Sequence, residues 1–476
     1  DLAVKKGGLL KYKDRAMLDS VWSIVSGKAN AVSSVSLADG ASALRHYLVA
    51  AQLGGAFLSS LADLAFLRQP SRLNGMQSVR VYRKQLKLFN PANAADREAA
   101  VRMGLTADAW ANRALAANRF VEITGAGFSA RVADFTMRAS LLSPWTDAGR
   151  KAFGMEFMGM IADHTGRSFD ELPTKLREGF TGYGITREDW EVLRMTELMD
   201  HDGAKFFSVE NMMNRIDLEE GARTNIASKV QEMVLSETDF AVPMPDAKAR
   251  AITTGGIKRG TVQGEFWRSA MLFKSFPITI MTTHLLRGAR MSGLANKAAY
   301  LGQLTIATTV LGAVAMHAKD ITRGRDPRSM DTPSFWTAAF IQGGGAGIFG
   351  DFIYSGIGGE SRYGRGFGMT AAGPAAGFID QLVRLTGGNL YSIMSGKQAD
   401  IPADVVQFMR RYMPGGSLWY TRLAWERGVI DQLAKLADPN VNKRFGQMVR
   451  KRLTEYDQQY WWRPGQTGPA RLPTTQ

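Results

Sequence analysis

The chain has 476 residues, 45% of them hydrophobic and 22% charged, enough to bury sizeable cores and to form about two to four domains. It contains no cysteine, which excludes disulfides and thiolate metal sites. Its 59 Lys and Arg against 44 Asp and Glu give a formal net charge of +15, a balance that favours polyanionic partners: nucleic acid, anionic lipid or acidic protein surfaces.

The first residues, DLAVKKGGLLKYKDR, lack the apolar core and cleavage site of a signal peptide. With Asp rather than Met at position 1, the chain is expected to be the carboxy-terminal piece of something longer. Residues 1–75 read as a basic segment followed by a long apolar helix. Met17, Leu18, Val21, Trp22, Ile24 and Val25 recur at helical spacing. Ala41–Leu67 carries only Asp63 as a charge after His46 and reads as one helix of near-membrane length, or a central core helix, ended by Pro70.

Residues 76–250 alternate amphipathic helical stretches with turns, as a soluble helical domain does. Val79–Phe89 has a basic polar face and stops at Asn90-Pro91; Asp96–Ala117 and Val121–Ser143 read as further helices. In Lys151–His164, Phe153, Met155, Phe157, Met158 and Met160 are expected to fill core gaps. Thr186-Arg187-Glu188-Asp189 predicts a helix cap with acids in the first turn. Pro243 and Pro245 mark a boundary.

Residues 251–400 form a hydrophobic hairpin region expected to be membrane-active. Leu301–Met316 has no charge, and Phe335–Ile357 has only Asp351. The first segment is about 24 Å long as a helix, short against a bilayer core of about 30 Å. The second carries Gly343, Gly344, Gly345, Gly347 and Gly350, small residues that let helices approach closely. Between them, Lys319, Arg323, Arg325 and Arg328 are the expected cations of a hairpin tip. The hairpin is either buried in protein or able to enter a bilayer. Its candidate membrane-facing residues are Leu301, Ile306, Val310, Leu311, Val314, Phe335, Trp336, Phe340, Ile348, Phe349 and Phe352.

Residues 401–476 read as basic, aromatic helices with an irregular, proline-rich tail. Lys443, Arg444, Arg450, Lys451 and Arg452 are candidates to face nucleic acid, with Tyr456, Tyr460, Trp461 and Trp462 able to stack on bases. The same stretch also fits a solvated helix packed through Phe445, Val449 and Leu453. No run alternates at the strand period. The expected fold is therefore mainly α: an elongated multi-helix assembly with hydrophobic, glycine-rich hairpins.

Catalytic motifs are sparse. No two of His46, His164, His201, His284 and His317 share a helical turn, and there is no HExxH, no G-x-S-x-G and no phosphate loop. Asp200-His201-Asp202 is the densest cluster and reads as a solvated turn. No catalytic residue, metal or cofactor is expected; an enzymatic domain would lie upstream.

Four phrases, in this order, carry a resemblance: RHYLVAAQLGGAFLSSLADLAF at 45–66, FWRSAMLFKSFPITIMTTHLLRG at 266–288, GRDPRSMDTPSFWTAAFIQGGGAGIFGDFIY at 324–354, and PGGSLWYTRLAWERGVIDQL with YWWRPGQ at 414–466. The chain resembles the carboxy-terminal region of the large internal virion, or DNA-ejection, proteins of short-tailed phages. The resemblance implies a homo-oligomeric ring or tube that leaves the virion interior and reassembles across the host periplasm and inner membrane. It also implies other ejection, portal or tail proteins as partners and double-stranded DNA in transit, with few or balanced charges in the lumen. Two alternatives stay open: a portal-stacked core or scaffold protein of the capsid interior without membrane contact, and, less favoured, an envelope-degrading hydrolase.

Overall fold

The computed structural model of the chain describes residues 9–100, 127–344, 367–388 and 401–474, and helix dominates them, as the absence of strand-period alternation predicts. In chain order, the helices that matter below are α1 (Leu9–Val25), α2 (Val35–Gln52), α3 (Leu64–Leu73), α4 (Ser78–Phe89), α5 (Phe128–Ala139), α6 (Leu142–His164), α7 (Glu220–Ala241), α8 (Ala247–Thr254), α9 (Val262–Ala270), α10 (Leu294–Ile321), α11 (Pro333–Gln342), α12 (Ile401–Tyr412), α13 (Asp431–Ala437) and α14 (Val441–Tyr456). Local chemistry sets many of their starts. Ser34, Asp246, Thr261 and Thr332 each accept a backbone N–H from three residues on, which satisfies donors that the first helical turn leaves open. The predicted cap at Thr186 is a full capping box, with Thr186 Oγ1 accepting from Asp189 N at 3.2 Å and Asp189 Oδ2 accepting from Thr186 N at 3.0 Å.

The chain falls into two compact units: Asp63–Ala116 with Ser143–Met244, and Asp1–Ala62 with Ala117–Leu142 and Pro245–Gln476. The expected boundary at 250 lies near the change at Pro245, but those at 75 and 400 fall inside units. Within the larger unit, α2 packs on α5, α9 and α12 and so joins stretches far apart in sequence.

The smaller unit has one large core, built from α3, α4, α6 and α7 around Phe153, Phe157, Met158, Phe180 and Trp190. The Met and Phe stripe of α6 lies in it, as expected. A buried acid, Glu237 on α7, is held by Asn74 Nδ2 at 2.8 Å and the Tyr183 hydroxyl at 3.1 Å. Pro70 does not end α3. It sits inside the helix, which runs to Leu73, and Asn74 Nδ2 caps its carbonyl at 2.9 Å. Nor is Ala41–Leu67 one helix, since 3-10 turns at Leu53–Gly55 and Leu61–Asp63 break it. One element escaped the sequence reading: an antiparallel hairpin of β1 (Met199–His201) and β2 (Ala204–Phe206), with Asp202 and Gly203 at positive φ in its turn.

In the larger unit, α10 and α11 form the predicted helical hairpin, and they pack closely. A Cβ at Gly312 would lie 2.0 Å from the Ala339 carbonyl oxygen, and one at Gly343 would lie 1.9 Å from that of Thr308. Glycine at both places is what permits the approach. Gly312→Ala and Gly343→Ala are therefore expected to lower stability by about 1–3 kcal/mol each in urea denaturation. Gly302→Ala, where nothing lies within 4 Å, should leave stability equal or higher, because it removes only the helical cost of glycine.

Candidate functional site

The hairpin concentrates the features that set this chain apart. Along α10, Tyr300, Leu304, Thr308, Gly312, Met316 and Asp320 are buried. These residues recur every four positions, which makes them one ridge of the helix. Half a turn away runs a second ridge, Ala298, Gly302, Ile306, Val310 and Val314, and all five are exposed. Ile306, Val310 and Val314 show 67%, 50% and 49% of their surface to solvent. No charged residue lies between Lys297 and Lys319, so the exposed ridge is uncharged over about 24 Å.

The sequence-predicted hairpin residues therefore divide. Ile306, Val310, Val314 and Trp336 face outward, and Leu301, Leu311 and Phe340 are half-buried. Phe335 is corrected: it is a core residue packed with Ala313, Met316 and Ala339, and the His317 ring stacks on it at 5.2 Å. Ile348, Phe349 and Phe352 lie outside the described residues. Among the described residues, two helical runs, 35–73 and 294–321, are long and apolar enough to cross a membrane by length and composition. Core helices pass the same test; α10 differs in that only 39% of its most apolar window is buried, against 56% for the other.

The expected cationic tip is corrected as well. Asp320, 1% exposed, takes Arg325 Nη2 at 3.0 Å and Arg328 Nε at 2.8 Å. Lys319 Nζ reaches across the hairpin to Gln342 Oε1 at 2.8 Å. Burial, then the nearby Arg422 and Arg325, push the Arg323 guanidinium down to about 9, so it stays charged at neutral pH. The cations are folded inward because the loop has a buried carboxylate to neutralise and a cover above it.

That cover is the carboxy-terminal tail. Asp326 N donates to Gln459 O at 2.9 Å, Trp461 N and Trp462 N donate to Gly324 O at 3.0 and 3.1 Å, and Trp461 Nε1 donates to Ile321 O at 3.2 Å. The buried Asp326 carboxylate pairs with Arg471 and accepts from Thr474 N at 3.1 Å. A third buried acid, Asp431 on α13, gathers Arg410 at 2.7 Å, Arg427 at 2.9 Å and Gly465 N at 2.8 Å. Asp320 thus ties the loop to itself, Asp326 ties it to the tail, and Asp431 ties the last helices to the tail. Sequence reasoning missed them. The one available signal was Asp320 itself, a lone acid closing an apolar helix.

The candidate nucleic-acid residues on α14 separate too. Lys443, Arg450 and Lys451 are exposed, with Lys451 3.8 Å from Glu455. Arg444 pairs with Asp438 at 3.0 Å. Arg452 lies over the Tyr456 ring, which Arg328 also approaches. Trp461 is occupied in holding the tail to the hairpin loop.

In the smaller unit, the Asp200-His201-Asp202 turn lies beside Asp96, a residue that sequence did not connect to it. Donor atoms of Asp96, His201 and Asp202 lie within 4.8 Å of one another. Lys87 Nζ stands 3.0 Å from Asp96 and 3.7 Å from Asp202, so its ammonium pairs with Asp96 and stands close to Asp202. Burial works to raise the Asp96 carboxyl, but His201 and Lys87 together hold it below its usual range. The arrangement is an ion network.

Replacing Asp320 by Asn removes the buried carboxylate that Arg325 and Arg328 share and is expected to cost about 3–5 kcal/mol in chemical denaturation. Asp326 gives a pH dependence. Burial raises its pKa, yet Arg471 and the Thr474 N–H bring it below the ordinary carboxylate range. A depressed folded value contributes stability above about pH 4 that is lost as the pH falls further. The urea midpoint should therefore drop below about pH 4, and Asp326→Asn should flatten that drop. No protein-family model, curated protein or solved structure matches the chain.

Proposed function

We propose that the chain is a structural virion protein of the ejection class, working as part of a homo-oligomeric conduit for genome delivery, with the α10–α11 hairpin as its lipid-facing element. The observation that carries this reading is the exposed, uncharged ridge of α10, backed by a hairpin whose own core is closed. Burying the exposed halves of Ile306, Val310 and Val314 is worth about 1 kcal/mol each, a gain that lipid or a neighbouring subunit supplies and water does not. The phrase order that resembles phage internal virion proteins supports the same assignment. The conduit reading brings portal or tail proteins and double-stranded DNA as partners and the host inner membrane as the destination.

A second reading, a capsid-interior core protein that never meets lipid, is favoured by the strapped loop, because a hairpin whose loop is tied to the carboxy-terminal tail through Asp326 suits permanent burial in protein. Vesicles separate the two. The full chain is expected to float with liposomes and release an entrapped dye, and Val310→Asp should abolish the release, since an acid at the centre of an inserted helix costs about 2.5–3.5 kcal/mol. If the wild-type chain fails to bind vesicles at every pH and salt concentration, the capsid-core reading stands instead. Cryo-EM class averages with rotational symmetry test the oligomer.

A further inference from the structure

Helix α5 presents a second outward surface of a different kind. Ala130, Ala133, Thr136 and Met137 are its buried face, and α5 packs on α2. On the opposite side, Phe128 and Phe135 are 82% and 70% exposed, and Arg131 and Arg138 are exposed with them. The steps of three, four and three residues put all four on one helical face. The patch continues past the end of the helix. Tyr420 donates its hydroxyl to Ala139 O at 3.1 Å, and Trp419 donates Nε1 to Ser140 O at 3.2 Å. Their polar ends are thereby tied down, while the Tyr420 ring stays exposed.

Two phenylalanines on a helix surface are costly in water, and folding does not hide them. Arg138 has an exposed partner in Asp134 at 2.9 Å, a type of pair that contributes little. No carboxylate pairs with Arg131 among the described residues.

We propose that this face docks in the plane of an anionic bilayer, with Phe128, Phe135 and Tyr420 entering the headgroup boundary and Arg131 and Arg138 holding lipid phosphates. Apolar rings beside guanidiniums are the chemistry of an interfacial helix, and the charge complements anionic headgroups. Single-stranded nucleic acid fits less well. Phe128 and Phe135 stand about 10.5 Å apart along the axis, about three base steps, so they do not stack consecutive bases. The proposal rests on the membrane reading above but names another surface, lying on the bilayer rather than entering it.

Because the chain has no cysteine, single labels can separate the two surfaces. Gly127→Cys places an environment-sensitive dye beside Phe128, and Gly302→Cys places one on the α10 ridge; a Cβ at either position meets nothing within 4 Å. Each full-length labelled protein is mixed with vesicles of phosphatidylcholine alone or with added phosphatidylglycerol. The dye at 127 is expected to shift to the blue only with the anionic vesicles and to lose the shift in high salt. In the same background, Phe128→Ser with Phe135→Ser should abolish the shift with helicity unchanged by circular dichroism. Arg131→Gln with Arg138→Gln should weaken binding about thirtyfold. A shift at 302 with none at 127 overturns this proposal and leaves the hairpin reading intact. A shift at 127 with none at 302 upholds it while the hairpin reading fails. A dye at 127 that is already blue-shifted in buffer, or that responds to a single-stranded oligonucleotide and not to vesicles, overturns it.

Discussion

The buried carboxylate of Asp320 constrains everything around it. It closes α10 at the helix end where the backbone dipole already disfavours an anion, and it is out of reach of water. An unpaired acid in that position costs several kcal/mol. The chain meets the constraint locally, by turning the loop back so that Arg325 and Arg328 both reach it. That turn fixes where α11 begins, and so where Phe335 and Ala339 meet Ala313 and Met316. The close approach at Gly312 follows from the same geometry.

The second consequence concerns charge. A net +15 invites the expectation of a broad basic surface, but several of the cations that the sequence offered for it are spent inside. Arg325, Arg328, Arg427 and Arg471 each sit on one of three buried aspartates. Internal pairing of this kind adds nothing to the field felt by a polyanion at a distance. The cations left outside include Lys443 and Arg450 on α14 and Arg131 on α5.

What the sequence displayed and what it hid differ in range. Helix type, the Thr186 cap, the methionine core of α6 and the α10–α11 hairpin all rest on neighbours within a few residues, and those are readable by spacing. The strap over the loop depends on Arg471, which lies 145 positions from Asp326, and on a tail that no periodicity describes. The His201–Asp96 contact spans 105 positions and is hidden for the same reason. The β1–β2 hairpin is a different case. Its strands have three residues each, too few for alternation to register, yet Asp202-Gly203 is the dipeptide that a tight hairpin turn prefers, and that signal was present.

The two units also differ in how they meet water. Among the described residues, every large hydrophobic side chain with an exposed surface belongs to the larger unit, apart from Val79, Leu86, Met195, Met213 and Ile216. Of those five, Val79 and Leu86 share one face of α4, and Met195, Met213 and Ile216 do not recur along a helix, an ordinary amount of exposure for a protein surface. In the larger unit, exposed apolar residues recur at helical spacing on single elements: Leu18, Trp22 and Val25 on α1, Val262 and Phe266 on α9, and the α10 ridge. A repeat of that kind keeps the residues on one face, and a face of several apolar side chains is stable only when something other than water covers it. The smaller unit gathers its apolar side chains into one core, whereas the larger unit, among the described residues, leaves rows of them on its surface.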